Sequence, residues 1–408
     1  MGQFAVEDRN DWRRLVTPKP LVGKPIHRWF IFPHSFASEL VHEFIEEWGL
    51  TADDHILEPF AGAGTTLLAA KEKGIPATGY DLSPLAVLTA RVKITDYKEA
   101  RLKALWSRLR HRIDPARWNG TSKDYPDLVR KALHGKLLGA FDSIDRAITG
   151  LNTTEKERDF FRLALLSAIP KYSRAVARGG WLKWVDRRAS VSTLPSTLAD
   201  HVDMMMEDLK TAQFSDEPLW NVELADARAL PDGPSTYSAV ITSPPYPNRH
   251  DYTRVFGVEL MFGFLNWEQT RQLRYQSFHS HPEARPVRPE ADGYVQPPRL
   301  AQMVAQIRQE EDPRVCKMIE GYFLDLYLVL REVQRVCKRK ARVAFVVGNA
   351  QYRGEPLPVD QLTAEIGEQA GLKCEKLYVA RYRGNSAQQM SKYGRKPSRE
   401  SVVVFQRL

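Results

Sequence analysis

A short apolar run, His55-Ile56-Leu57, passes directly into the turn Glu58-Pro59-Phe60-Ala61-Gly62-Ala63-Gly64, and Thr65 to Lys73 then has the composition of a helix. A second apolar run, Pro76 to Tyr80, ends at Asp81, and Pro84 opens a further helical stretch to about Lys93. Strand, tight turn, helix, strand and helix in that order make the two strands parallel, because a helical crossover returns the chain to the same end of a sheet. Parallel sheets are covered on both faces, so an α/β fold is expected.

The same grammar returns far downstream. Asn221 to Leu224 is strand-like and leads to Asp226, and Ser238 to Thr242 runs straight into Ser243-Pro244-Pro245-Tyr246. Met318 to Val336 has helical spacing, Ala341 to Val347 reads as a buried strand, and Leu362 to Ala370 as a helix. Lys376 to Arg381 and Ser401 to Phe405 are the expected closing strands. Between the two parts, residues 95–220 are rich in Arg, Lys, Leu and Trp and read as an inserted helical, basic subdomain. Residues 272–313, rich in Pro, His and Arg, read as a long loop or small lobe, and residues 1–25 as an extended arm broken by Pro18, Pro20 and Pro25. Ser38 to Trp48 is an amphipathic helix. The division expected is 1–94 for the arm and the cofactor-binding first half, 95–220 for the insertion, and 221–408 for the catalytic second half.

The Gly62–Gly64 turn lets a ligand approach the backbone, and the helix beginning at Thr65 and Thr66 offers unsatisfied N–H groups. Asp81, followed by Leu82, lies at the tip of the second strand, where a carboxylate holds a ribose diol. Asp226, at the tip of a third, is placed to accept a bond from an adenine amino group. Position 67 is Leu67 rather than the last glycine of the dinucleotide fingerprint, and no Gly-Lys-Ser/Thr phosphate loop occurs. A nucleoside cofactor without a pyrophosphate therefore fits better than NAD or ATP.

Glu58 to Thr66 together with Thr242-Ser243-Pro244-Pro245-Tyr246 resembles the S-adenosylmethionine-dependent amino-methyltransferases of DNA. The serine form of the Pro-Pro-Tyr motif resembles the cytosine-N4 branch, whereas the adenine-N6 branch usually carries Asp or Asn at that place. The resemblance covers about residues 27–94 and 221–408. It implies a Rossmann-like class I S-adenosylmethionine-dependent methyltransferase fold with a mostly parallel sheet. It also implies S-adenosyl-L-methionine bound by Glu58, Phe60, Ala61, Gly62, Gly64, Thr65, Thr66, Asp81, Leu82 and Asp226, with His34 and Ser35 closing over its methionine part.

An exocyclic amine on a base is a poor nucleophile, because its lone pair is delocalised into the ring. Hydrogen bonds from its N–H groups to the Ser243 side chain and the Pro244 carbonyl would draw the nitrogen toward sp3 and aim its lone pair at the methyl group. Pro244-Pro245 fixes two φ angles and removes two donors, which stiffens the turn. Tyr246 is expected to stack on a base flipped out of double-stranded DNA. Transfer is then a direct in-line displacement, accelerated mainly by positioning. Carbon-5 chemistry needs a cysteine nucleophile, normally after proline, and none of Cys316, Cys337 or Cys374 follows one. Asn385 to Met390 and the Glu400–Phe405 strand also look typical of the family.

A net charge of +9 favours a polyanionic partner. Candidate nucleic-acid contacts are Arg249, Asp251 and Tyr252 after the catalytic turn, and Lys183, Arg187 and Arg188 in the insertion, where Trp181 and Trp184 flank Lys183. The insertion falls between Asp81 and Asp226 rather than after Asp226, so either basic segment, 95–220 or 272–313, can carry target recognition. No metal cluster, signal segment or membrane-length apolar run is read, which points to a cytoplasmic protein with reduced thiols. The function implied is cytosine-N4 methylation of DNA, in restriction-modification or phage defence and beside a cognate nuclease. Adenine-N6 methylation of DNA, RNA base methylation and an inactive nucleic-acid-binding module stand as alternatives.

Overall fold

The computed structural model describes residues 4–211, 219–309, 311–384, 394 and 397–408. Its strands are β1 (Val6–Asp8), β2 (Ile56–Glu58), β3 (Ala77–Asp81), β4 (Ala175–Arg178), β5 (Trp181–Trp184), β6 (Trp220–Leu224), β7 (Tyr237–Thr242), β8 (Cys337–Gly348), β9 (Ala350–Tyr352), β10 (Glu355–Leu357), β11 (Leu372–Arg383) and β12 (Ser398–Arg407). Eight of them form one sheet in the order β1-β11-β12-β8-β7-β2-β3-β6. Every neighbouring pair is parallel except the two made by β12, which lies antiparallel between β8 and β11.

Alternation along the strands sorts side chains onto two faces. Ile56, Ala239, Ile241, Ala344, Val346, Val402 and Val404 enter one hydrophobic cluster. Their neighbours Leu57, Val240, Val343, Phe345, Val347, Val403 and Phe405 enter the other. The first face is covered by α1 (Ser38–Trp48), α2 (Thr65–Glu72) and α3 (Pro84–Ile94). The inserted helices α4 (Glu99–Arg112), α5 (Asp127–Ala132), α6 (Lys136–Thr149), α7 (Glu155–Tyr172) and α8 (Leu194–Thr211) continue that same apolar layer. After β7 come α9 (Tyr252–Val255), α10 (Gly257–Gly263) and α11 (Trp267–Gln276). The second face is covered by α12 (Pro298–Arg308), α13 (Pro313–Val336) and α14 (Val359–Gln369).

Three segments differ from the sequence expectation. The insertion is not wholly helical: β4 and β5 form an antiparallel hairpin inside it. Residues 272–313 are not all loop, because α11 runs into their start and α12 fills residues 298–308, with Leu300, Val304 and Ile307 buried. The N-terminal arm folds onto the sheet edge. There β1 pairs with β11, and Trp12, 1% exposed, packs edge-on against Phe44 and Tyr378. Asn385 to Met390 lie outside the described residues. Among the described residues no helix is long and apolar enough to cross a membrane.

The strand order reverses at β2, which has β3 and β6 on one side and β7 and β8 on the other. In an open α/β sheet a crevice forms beyond the carboxyl ends of the strands at such a point.

Candidate active site

That crevice is a cleft of about 1150 Å³ including its mouth. The β2–α2 turn, the tips of β3 and β7, the residues after β6 and the His34–Ser35 segment all line it. Ala61 N–H donates to Tyr80 O at 2.8 Å and Gly62 N–H to Asp81 Oδ2 at 2.9 Å, so the turn is fastened to the end of β3. Gly62 has φ +49°, the left-handed conformation this close approach requires. The other Asp81 oxygen accepts from Ser83 N–H at 2.8 Å, and burial pushes the carboxyl up. Asp226 Oδ1 accepts from Arg228 Nε at 2.9 Å and Oδ2 from Arg228 Nη2 at 2.7 Å. Phe32, Phe60, Phe256 and Phe278 supply apolar walls.

Glu58 ties the two functional turns together. Its carboxyl accepts from Phe60 N–H at 3.1 Å and from the Thr242 hydroxyl at the tip of β7, and its other oxygen lies 2.8 Å from Thr66 Oγ1. Thr66 is thus buried beneath the cleft and also reaches Ile241 O at 3.1 Å. The carboxyl is 2% exposed, and burial pushes it up to about 8. Glu58 is therefore held protonated at neutral pH.

Ser243 and Pro245 face the cleft. Ser243 Oγ donates to Val346 O of β8 at 3.0 Å. Oγ can still accept from a donor entering the cleft, with the Tyr246 side chain beside it as one hydrogen-bonding neighbour. Tyr246 is 8% exposed and does not line the cleft; its ring lies on Gly348, where an added Cβ would stand 2.8 Å from Cε2. A stacking role on an incoming base thus requires the ring to leave that seat.

Other expected site residues fall into two groups. His34, Ser35, Phe60, Ala61, Gly62, Thr65, Asp81, Leu82, Asp226 and Tyr252 share the cleft wall. Gly64, Thr66 and Pro244 do not. Gly64, read as a point of ligand approach, has φ +78° and a virtual Cβ 2.8 Å from Ala90 Cα, so its smallness lets α2 lie against α3. Asp251, expected at a nucleic-acid surface, is 2% exposed and committed elsewhere. It accepts from Thr253 N–H at 2.9 Å at the start of α9 and pairs with Arg274 at 2.8 Å. Arg187 donates to Lys171 O at 2.9 Å at the end of α7, and Arg249 pairs with Glu311 at 2.7 Å. Lys183 and Arg188 are exposed.

Two features escaped sequence reasoning. His250 packs edge-on against His34 with ring centroids 4.2 Å apart, joining the catalytic loop to the segment before α1. Burial and the neighbouring imidazole push His250 down to about 3, so His250 is neutral. The second is a buried ion network. Arg228, 2% exposed, donates to Asp325 Oδ1 at 3.1 Å, and Asp325 also receives the His279 backbone N–H at 2.9 Å and Arg288 Nε at 2.6 Å. Through Arg228 it supports Asp226 from behind. Its members are too far apart in sequence to leave a local signal.

The cleft fits S-adenosylmethionine. It offers a carboxylate at the β3 tip, a glycine cradle after β2, a second carboxylate after β6 and aromatic walls. No family model matches the chain. The chain is 28% identical over 450 aligned residues to the Type II methyltransferase M.BsoBI of Geobacillus stearothermophilus, spanning 97% of this chain and 88% of that protein. It is 27% identical over 436 residues to the Type II methyltransferase M.AvaI of Anabaena variabilis, spanning 97% and 89%. A shorter match, 35% over 82 residues, covers 20% of this chain and 15% of the Type II methyltransferase M.MjaII of Methanocaldococcus jannaschii. Among solved structures, a TehB-like SAM-dependent methyltransferase of Corynebacterium glutamicum aligns over 90% of this chain and 87% of its own. Its identity is 9% and its TM-score 0.30. Strand order and cleft give the chain the Rossmann-like fold of class I S-adenosylmethionine-dependent methyltransferases, and over nearly its full length it is similar to Type II methyltransferases.

Proposed function

We propose that the chain methylates the exocyclic N4 amino group of cytosine in double-stranded DNA. The observation that carries the amino-group target is the state of the Ser243 hydroxyl, and the choice of cytosine rests on serine standing first in Ser243-Pro244-Pro245-Tyr246, the form that resembles the cytosine-N4 branch. The hydroxyl proton is directed to Val346 O, so the side chain meets the cleft as an acceptor. An amino group brings N–H donors and needs an acceptor of this kind beside it. The Pro244 carbonyl is the second acceptor, held by a turn that two prolines stiffen.

Asp81 would hold the ribose hydroxyls of S-adenosylmethionine, Asp226 its adenine amino group, and His34 and Ser35 its methionine end. When bound, the cofactor supplies an electrophilic methyl group on a sulfonium. The protein's share is to orient the amine and to exclude water, which is where most of the acceleration of such a transfer arises. The excess positive charge and the exposed Lys183 and Arg188 support a phosphate-bearing partner. The three free thiols fit a reducing, cytoplasmic setting. A cognate restriction nuclease is the expected partner in the cell.

Labelled S-adenosylmethionine is incubated with the protein and bacterial genomic DNA, and the digested nucleosides are identified by mass spectrometry. N4-methylcytosine is expected. N6-methyladenine would refute the base assignment. Transfer to RNA alone would refute the substrate.

A further inference from the structure

The β4–β5 hairpin projects from the insertion to the rim of the cleft. At its tip Gly180 lies against the segment that follows the catalytic turn: an added Cβ would stand 2.9 Å from Arg249 O and 3.1 Å from His250 Cα. Only glycine permits that contact, so the hairpin is seated rather than loosely draped. His250 in turn packs on His34 of the cleft wall.

The two strands pair as Arg178 with Trp181 and Val176 with Lys183. Leu182 turns inward and packs against the first-face hydrophobic layer. By strand alternation Trp181, Lys183, Arg178 and Val176 face the other way. Trp181 is 65% exposed and Trp184 49%. Trp184 shares the Leu182 face by the same alternation, so the outward face carries Trp181, a large aromatic left uncovered beside Lys183 and Arg178, and this marks a contact surface. Between Arg174 and Arg188 the sequence has five basic residues and one acidic residue, Asp186, so the surface suits a polyanion.

We infer that this hairpin enters the target duplex, with Trp181 stacking into the space that the flipped base leaves and Lys183 and Arg178 on the flanking phosphates. The inference rests on double-stranded DNA being the substrate. A base turned out of the stack loses its stacking partners, and a planar side chain in the vacancy holds the open state. The hairpin is anchored beside the very loop that follows Ser243 to Tyr246, which puts the wedge next to the cleft the base must enter.

The test compares Trp181→Ala and Trp181→Phe with wild type on two duplexes bearing the sequence that wild type methylates. One is fully paired; the other has an abasic site opposite the target base, so that the target is already unpaired. Because Trp181 is exposed, both variants are expected to bind S-adenosylmethionine as wild type does. Trp181→Ala should lose roughly 10- to 100-fold in kcat/KM on the paired duplex, the range for removing one aromatic–base stack. Most of that loss should vanish on the unpaired-target duplex, and Trp181→Phe should fall between. Equal loss on both duplexes, or none on either, overturns the inference while leaving the DNA reading intact. Absence of methyl transfer to any duplex by wild type overturns both.

Discussion

Replacing Glu58 by glutamine isolates the energetic consequence of burying an acid beneath the cleft. The carboxyl is 2% exposed and stands at about 8 in the folded chain against an ordinary value of 4.5. Burial is the main cause, outweighing the hydrogen bonds from Thr242, Thr66 and Phe60, which pull the other way. Between those two values the folded chain binds more protons than the unfolded one, so stability falls as pH rises through the window. At about 1.4 kcal/mol per pH unit, the displacement corresponds to about 5 kcal/mol, of which roughly 3 to 4 kcal/mol is lost between pH 5 and pH 8. Glutamine keeps the shape without the titration. Its carbonyl still accepts from Phe60 and Thr242. Its amide can donate to Thr66 Oγ1, which keeps Ile241 O as its own acceptor at 3.1 Å. Urea unfolding, followed by circular dichroism and by fluorescence so that coincident transitions can be checked, gives stability at several pH values. The difference between Glu58→Gln and wild type should grow in favour of the variant by roughly 3 kcal/mol from pH 5 to pH 8. Parallel profiles for the two proteins would refute the reasoning, because every other titrating group is common to both.

Ser243→Ala should lower kcat on the order of 100-fold, as loss of a positioned hydrogen-bonding group at a reacting centre does, while calorimetry shows S-adenosylmethionine binding unchanged. Gly348→Ala brings a methyl group to 2.8 Å from the Tyr246 ring and 2.9 Å from Arg383 Nη2, so kcat should fall and the melting temperature drop by an amount equivalent to about 1–3 kcal/mol. Wild-type activity in that variant would show that the Tyr246 seat does not matter. Arg228→Met leaves Asp325, which is 0% exposed, without one of its cationic partners, and should cost about 3–5 kcal/mol by chemical denaturation. Asp81→Asn should weaken cofactor binding by a factor of about 10 and also cost about 1–3 kcal/mol of stability, since its single oxygen can keep only one of the Gly62 and Ser83 N–H bonds. A midpoint shift with unaltered affinity would assign Asp81 a structural role instead.

The parallel half of the sheet was legible because β2, β3 and β7 are short apolar runs ending in distinctive turns, and a crossover allows one handed arrangement. The inserted hairpin was not, since its Arg, Lys, Leu and Trp content matches the helices around it. The signal was nonetheless present: Gly179-Gly180 separates two runs of four residues, a two-residue turn pattern. The α12 helix was hidden by the Pro- and His-rich context, although Leu300, Val304 and Ile307 recur at helical spacing. Gly64 carried the right residue type for a different reason, because glycine serves close helix packing as well as ligand approach. Asp251 shows the same ambiguity. A carboxylate after the catalytic turn looks functional in sequence, but an Asp preceding a helix is also its natural cap.

The position of β12 has a bearing on how the molecule is assembled in time. Ser398–Arg407 comes last among the strands yet sits inside the sheet, with Val402 opposite Val346, whose carbonyl receives the Ser243 hydroxyl. Until it arrives, β8 is supported along one edge only, and no strand joins β11 and β1 to the rest of the sheet. Vectorial synthesis thus leaves the acceptor that orients Ser243 unsecured until the latest strand pairs. The acceptor beside Ser243 is therefore held from both edges only once β12 is in place.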